Sequence, residues 1–130
     1  MNPIVKALWI TALLDGNSEQ GTGKLTYQEN DREKNCCMGV LCKLGELVGI
    51  ITSEYDVANN RVIYWDARDD GNGYYSNFIP KAIKEWADLP YTVFLPGGDH
   101  IFETTAYLAN MNDTEHKTFP EIAEWIAKNL

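Results

Sequence analysis

The spacing of apolar residues changes character along this chain, and that change restricts the fold more than any other feature. Between residues 36 and 49, Cys37, Val40, Leu41, Leu44, Leu47 and Val48 recur every three or four positions, which places them on one side of a helix. Residues 50–55 and 61–65 break that rhythm. Ile50-Ile51-Thr52-Ser53-Glu54-Tyr55 and Arg61-Val62-Ile63-Tyr64-Trp65 are runs rich in β-branched and aromatic side chains, and Asn59-Asn60 between them predicts a hairpin. Helical spacing returns after Pro80 and again after Thr118. Strands grouped between helices predict an α+β fold, a small and mostly antiparallel sheet packed against three to four helices, with residues 1–130 as one globular domain.

The helix ends carry their own signals. Asn2-Pro3 is a capping side chain followed by proline at the first helical position, and Asp15-Gly16-Asn17 closes that helix. Ile4, Leu8, Thr11 and Ala12 share one face, Ala7 and Leu14 lie beside them, and Trp9 falls toward the flank. Gly39 and Gly45 lower the propensity of the helix at 36–49, by about 1 kcal/mol each, so they permit close packing or mark a break. After Pro80, Ile83, Trp86 and Ala87 form a face that stops near Asp88-Leu89-Pro90. Thr118-Phe119-Pro120-Glu121 reads as a capping box, with Ile122, Trp125, Ile126 and Leu130 as the core side of the last helix. Residues 18–25 read as a glycine-containing loop, Thr26-Tyr27 as a short extended piece, residues 30–34 as a polar turn and residues 91–95 as a strand closed by Pro96-Gly97-Gly98-Asp99. Residues 104–111 fit strand or helix equally well.

Charge excludes some partners. Nineteen acidic residues against eleven basic ones leave a net charge of −8. A nucleic-acid polymer or an anionic membrane surface is therefore not expected as a partner, since both reward a basic footprint. No apolar run reaches the roughly 18 residues of a membrane-spanning helix. The Met1-Asn2-Pro3-Ile4-Val5-Lys6 start does not read as a signal peptide. Three cysteines, two of them adjacent, make no disulfide framework, so reduced thiols in a cytoplasm are expected.

Trp9-Ile10-Thr11-Ala12-Leu13, Gln20-Gly21-Thr22-Gly23-Lys24-Leu25, Cys36-Cys37-Met38-Gly39-Val40-Leu41-Cys42 and Ile79-Pro80-Lys81-Ala82-Ile83-Lys84-Glu85-Trp86 are distinctive stretches. Asn112-Asp113 follows, with Thr118-Phe119-Pro120-Glu121-Ile122-Ala123-Glu124-Trp125-Ile126 after it. Together, in this order and spacing, they resemble a family of small uncharacterised proteins common in bacteriophages. The double-cysteine segment is the most specific. Ser18 departs from the pattern, which has an aromatic residue there, and Met38 stands where leucine is usual. The resemblance implies a setting, a phage-encoded accessory protein in the cytoplasm of an infected bacterium, and no chemistry.

Candidate sites are few. The Cys36-Cys37-x4-Cys42 cluster lacks paired partners for tetrahedral zinc, and adjacent helical cysteines diverge by roughly 100°, so the thiols are expected to be packing material and no metal or cofactor is expected. Gln20-Gly21-Thr22-Gly23-Lys24 can cradle a phosphate through backbone N–H groups with Lys24 beside it, although it is not a Walker sequence, and glycines in loops are more often turn devices. Asn112-Asp113 is a turn, or Asn112 reads a ligand at the entry to the last helix. Asp69-Asp70-Gly71-Asn72-Gly73 offers oxygen ligands without an EF-hand pattern, and Tyr74-Tyr75 offers stacking faces. Asp99-His100 is a dyad only by adjacency, and no catalytic residue is nominated.

These readings favour a binding protein over an enzyme. The expected function is sequestration of a small ligand, in its sharpest form a host-defence signalling nucleotide, with Gln20, Thr22, Lys24, Tyr74 and Asn112 facing it and Lys24, Arg61 or Arg68 relieving its charge. An acidic protein–protein inhibitor of a host factor and a small nucleotide hydrolase are the alternatives, and a homo-oligomer is allowed.

Overall fold

The computed structural model describes residues 1–66, 74–95 and 101–130. The loop at 69–73, Arg68, the residues at 96–99 and the Asp99-His100 pair lie outside the described residues. Helix α1 (Pro3–Leu14) leads into β1 (Glu19–Gln20), β2 (Thr26–Glu29), β3 (Arg32–Asn35) and helix α2 (Cys37–Leu47). The hairpin β4 (Ile51–Asp56) and β5 (Arg61–Asp66) follows, then β6 (Tyr74–Tyr75), helix α3 (Lys81–Trp86), and the pair β7 (Thr92–Phe94) and β8 (Ile101–Glu103). Helix α4 (Thr104–Ala109) runs into a π-helical turn (Asn110–Thr114), and α5 (Phe119–Asn129) closes the chain. The α+β class holds, with the strands divided among three small sheets ordered β1-β3-β2, β4-β5-β6 and β7-β8. Among the described residues all strand pairings are antiparallel except β1 with β3. Among the described residues no helix is long and apolar enough to cross a membrane.

Helix α2 is the centre. Cys37, Met38, Gly39, Val40, Leu41, Cys42 and Gly45 are all buried, and α1, α3, α4, β3 and β4 pack around it. Both helix glycines are there for close approach. A Cβ on Gly39 would collide with the Leu25 carbonyl, and one on Gly45 with Cδ1 of Ile83. The helix is continuous through both, so neither marks a break.

The face of α1 that is buried is not the one the apolar spacing suggests. Val5, Trp9 and Leu13 point inward, and the Trp9 indole N–H donates to the Cys37 carbonyl at 2.9 Å. Ile4, Ala7, Leu8, Thr11 and Leu14 face outward. The helix is apolar on nearly every side, so periodicity alone could not choose between faces. Trp9, read as a flank residue, is fully buried.

Residues 30–34, read as a turn, hold one: Asn30 and Asp31 have φ of 52° and 61°. Beyond them, Arg32–Asn35 forms β3, the middle strand of its sheet, which the polar composition concealed. Only Asn35 of that strand is buried, so backbone pairing rather than apolar alternation makes it a strand. The segment 104–111 resolves as helix and the start of the π turn. The expected hairpin forms with Ile51 opposite Asp66 and Asp56 opposite Arg61.

Side chains stitch the sheets together. Asn60 accepts from the Gln28 N–H at 3.0 Å and donates to its carbonyl at 2.7 Å, imitating a neighbouring strand for β2. In the interior, the Thr26 hydroxyl donates to Asn35 Oδ1 at 2.8 Å and accepts from the Tyr64 hydroxyl at 2.7 Å. Helix α3 has no capping side chain of its own, and Asp66 on β5 accepts from the Ala82 N–H at 3.1 Å instead.

Candidate functional site

The π turn brings Asn112 into the interior, where it is 1% exposed. Its Nδ2 donates to the Gly21 carbonyl at 2.8 Å and to Asp113 Oδ1 at 2.7 Å. Its Oδ1 accepts from Gln20 Nε2 at 2.9 Å and from the Cys37 N–H at 3.2 Å, one of the free amides at the start of α2. Gln20 is equally occupied. Its Nε2 also donates to the Lys117 carbonyl at 2.7 Å, and its Oε1 accepts from the Phe119 N–H at 3.0 Å. Two residues 92 positions apart thus join β1, α2, the π turn and the start of α5, with both donors of each amide in use.

The other sequence-nominated residues lie along the segment that leaves this junction. Thr22 is exposed, and its N–H donates to the Tyr27 hydroxyl at 3.2 Å. The Gly21 N–H donates to Asn35 and the Leu25 N–H to Ser76, so those amides serve the fold. Lys24 turns away toward the β4–β5 hairpin, where its ammonium donates to the carbonyls of Asn59 and Asn60 at 3.0 and 2.9 Å. Tyr74 lies in β6, paired with Trp65. Arg61 donates to Asp56 at 3.0 Å and to Ser76 at 3.1 Å. The structure brings Gln20 and Asn112 into direct contact and spreads Thr22, Lys24 and Tyr74 beyond them.

The cysteines are buried and individually accommodated. Cys36 Sγ accepts from the Gly39 N–H at 3.3 Å, and the Cys37 thiol lies 3.8 Å from the Leu108 carbonyl. Burial pushes the Cys36 thiol up to about 11 and raises Cys37 and Cys42 well above the ordinary thiol value. A neutral buried thiol is a poor nucleophile, so the chemistry available to these residues is packing.

A groove of about 360 Å³ opens on the far side of the π turn. Tyr107, Met111 and Trp125 supply its apolar lining, and Glu115, Lys117, Glu121, Glu124 and Lys128 its charged lining. The Tyr107 and Trp125 rings stand 5.1 Å apart at 37°, and Phe102 extends the row at 5.6 Å from Tyr107. Glu124 pairs with Lys128 at 2.7 Å, and Glu121 Oε2 accepts from the Thr118 N–H at 2.9 Å in the capping box. Met111 and Lys117 each belong to backbone bonded to or next to the Gln20–Asn112 junction, so that junction sets the shape of the groove wall. Trp125 packs partly buried against the core, as its spacing in α5 predicts, and lines the groove as well, while Tyr107 lies in the segment whose sequence fits strand or helix equally. The missing signal was the π turn, which no residue pattern announces. A smaller hollow of about 150 Å³, lined by Met38, Phe78, Ile79 and Ala106 among others, lies elsewhere on the surface.

A family model matches residues 1–130, from end to end. The chain belongs to the family described as Domain of unknown function (DUF8296). An uncharacterised family spanning the whole chain is what the sequence resemblance implied. No curated protein and no solved structure matches the chain.

Proposed function

We propose that this member of the family is a phage accessory protein that binds and sequesters a small ring-bearing ligand in the groove formed by α4, the π turn and α5. One observation carries the reading: a groove of about 360 Å³ that combines the Tyr107–Trp125 pair with hydrogen-bonding charged groups. That volume is within the usual range of small-molecule sites, which pair apolar and aromatic walls with a few polar groups. A planar ring stacks on an aromatic side chain with a gain of about 1–3 kcal/mol per base-sized group. Three carboxylates against two ammoniums line the groove, and Lys128 is already paired with Glu124. The ligand that fits best therefore carries little negative charge: a nucleoside or a singly charged nucleotide rather than a polyphosphate. A host-defence signalling nucleotide of that kind is the sharpest form, with Lys117 meeting its one phosphate charge. Gln20 and Asn112 position the wall, Thr22 and Lys24 lie on the adjoining segment, and the phage and cytoplasmic setting rests on the sequence resemblance.

The test is recovery of ligand. Purified protein is incubated with bacterial extract or a nucleotide panel, washed, heat-denatured, and the released small molecules identified by mass spectrometry. Intact ligand is expected, lost at least tenfold in Trp125→Ala and Tyr107→Ala proteins that keep the parent's circular dichroism. Chemically converted ligand would make the protein an enzyme instead. Release of nothing, with a host protein co-purifying, would replace this reading by the inhibitor one.

A further inference from the structure

The charged lining of the groove between α4, the π turn and α5 is unbalanced. Glu124 is paired with Lys128 at 2.7 Å, which leaves Glu115 and Glu121 against Lys117, one negative charge in excess. Neither of those carboxylates is neutralised by the hydrogen bond it accepts. Glu115 takes the Asn110 side-chain amide at 2.8 Å and Glu121 takes the Thr118 N–H at 2.9 Å, and both donors are uncharged. Glu121 and Trp125 are four residues apart in α5, so their side chains are neighbours on one helix face, with Cβ atoms about 5–6 Å apart. A carboxylate therefore stands beside the indole. The whole chain adds a net charge of −8, which draws cations and repels anions.

We propose that the ring held in this groove is itself a cation: an N-alkylated heteroaromatic ring of the pyridinium or methylated-purine kind, stacked on Trp125 with Glu121 and Glu115 as its counter-charge. The inference rests on the groove being the ligand site and adds the charge of the ring. Geometry favours a planar cation over a tetrahedral ammonium. Phe102, Tyr107 and Trp125 form a row, with centroids 5.6 and 5.1 Å apart and tilts of 49° and 37°. A ring inserted between two of them would need about 7 Å. The ligand therefore lies against an open face of the row rather than inside a box of aromatic walls, and a flat ring makes the fullest contact with a flat face. Tryptophan is the aromatic side chain that holds a cation over its face most strongly. Lys117 remains for a phosphate, so a nucleotide with a cationic base and one phosphate satisfies both signs of charge in the groove. A neutral base carrying a polyphosphate satisfies neither.

NMR titration of the full chain with matched ring pairs at neutral pH tests the proposal. The pairs are 1-methylnicotinamide against nicotinamide and 1-methyladenosine against adenosine, whose members differ by one methyl group and one positive charge. The charged member of each pair should bind at least about fivefold more tightly, and its advantage should shrink as salt rises, because the charges of the groove are exposed to solvent. The double variant Glu115→Gln/Glu121→Gln should bring the ratio within about twofold. Glutamine keeps the acceptor oxygens and also serves in a capping box, so the thermal midpoint should stay near the parent's. Trp125→Ala should abolish binding of both members.

Neutral members that bind as tightly as charged ones would overturn the cationic ring and leave the groove as the ligand site. A charge preference that survives the glutamine variant, or binding that survives Trp125→Ala, would overturn it by placing the cation elsewhere. Choline binding as tightly as 1-methylnicotinamide would overturn the planar ring. Failure of both pairs to bind would overturn the inference as well. A ligand recovered from extract only when Trp125 is present would then show that the groove reading stands without it.

Discussion

A single carbonyl oxygen explains why residue 39 is glycine. The Leu25 carbonyl accepts from the Cys36 N–H at 3.0 Å and occupies the space that any side chain on residue 39 would need. The obstacle is backbone, held by that bond, so it cannot swing aside. Gly39→Ala should cost about 3 kcal/mol in urea unfolding, near the upper end of ordinary overpacking. Gly45→Ala should cost about 1 kcal/mol, because its obstacle is the terminal methyl of Ile83, which a rotamer change can move. Asn112→Ala should cost about 3 kcal/mol, since it strands the buried Gly21 carbonyl and Cys37 N–H together. The thiols add a pH dependence. An unfolded thiol loses its proton near the ordinary value of 9.0, while folded Cys36 keeps its proton to about 11. Between those values the folded state binds more protons than the unfolded one, so stability falls as pH rises. The slope is about 1.4 kcal/mol per pH unit for each such thiol. Melting curves under reducing conditions should hold between pH 7 and 8.5 and drop steadily above pH 9. A flat profile to pH 10.5 would show that the thiols are not desolvated.

At the scale of elements, the ends of helices were more legible than their faces. The Asn2 carboxamide oxygen accepts from the N–H groups of Ile4 and Val5 at 2.9 and 3.2 Å, as its place before Pro3 implies. The Thr118–Glu121 box is complete in both directions. Thr118→Ala should lower stability by about 1 kcal/mol, the usual worth of an N-cap, and leave the groove's Trp125 environment unchanged by fluorescence. Caps are legible because a cap is a contact between residues two or three positions apart. Faces are less so. In α1 nearly every position is apolar, and only the location of α2 and α5 determines that Val5, Trp9 and Leu13 are the buried stripe. Strand β3 was illegible for a related reason, since Arg32, Glu33 and Lys34 answer to ion pairs with Glu19 and Lys43 on the surface rather than to a core. The π turn is a register adjustment of one residue, invisible in composition, and it turns Asn112 inward.

For the whole molecule, the sequence had already nominated two of the residues that hold distant parts together, without their role. Gln20 and Asn112 stood out as polar residues in short distinctive motifs, and a ligand was the natural explanation. In the folded chain they meet each other, and their amides are filled by the backbone of Gly21, Cys37, Lys117 and Phe119 and by the Asp113 side chain. The groove they help shape lies one step further on, at Tyr107 and Trp125.

What the amino-acid sequence determined by itself was local: the capped starts of α1 and α5, the helix of the double-cysteine motif, the β4–β5 hairpin and the α+β class. These follow from spacing and backbone chemistry within a few residues. Only the tertiary structure decided which side of α1 is buried, how the strands divide into three sheets, and that an aromatic pair lines a groove beside the Asn112 junction. Those outcomes depend on how separate elements meet, as where Trp9 reaches Cys37 28 positions away and Gln20 reaches Asn112 92 positions away, and such meetings are chosen by the packing of the whole chain rather than by the preferences of any segment in it.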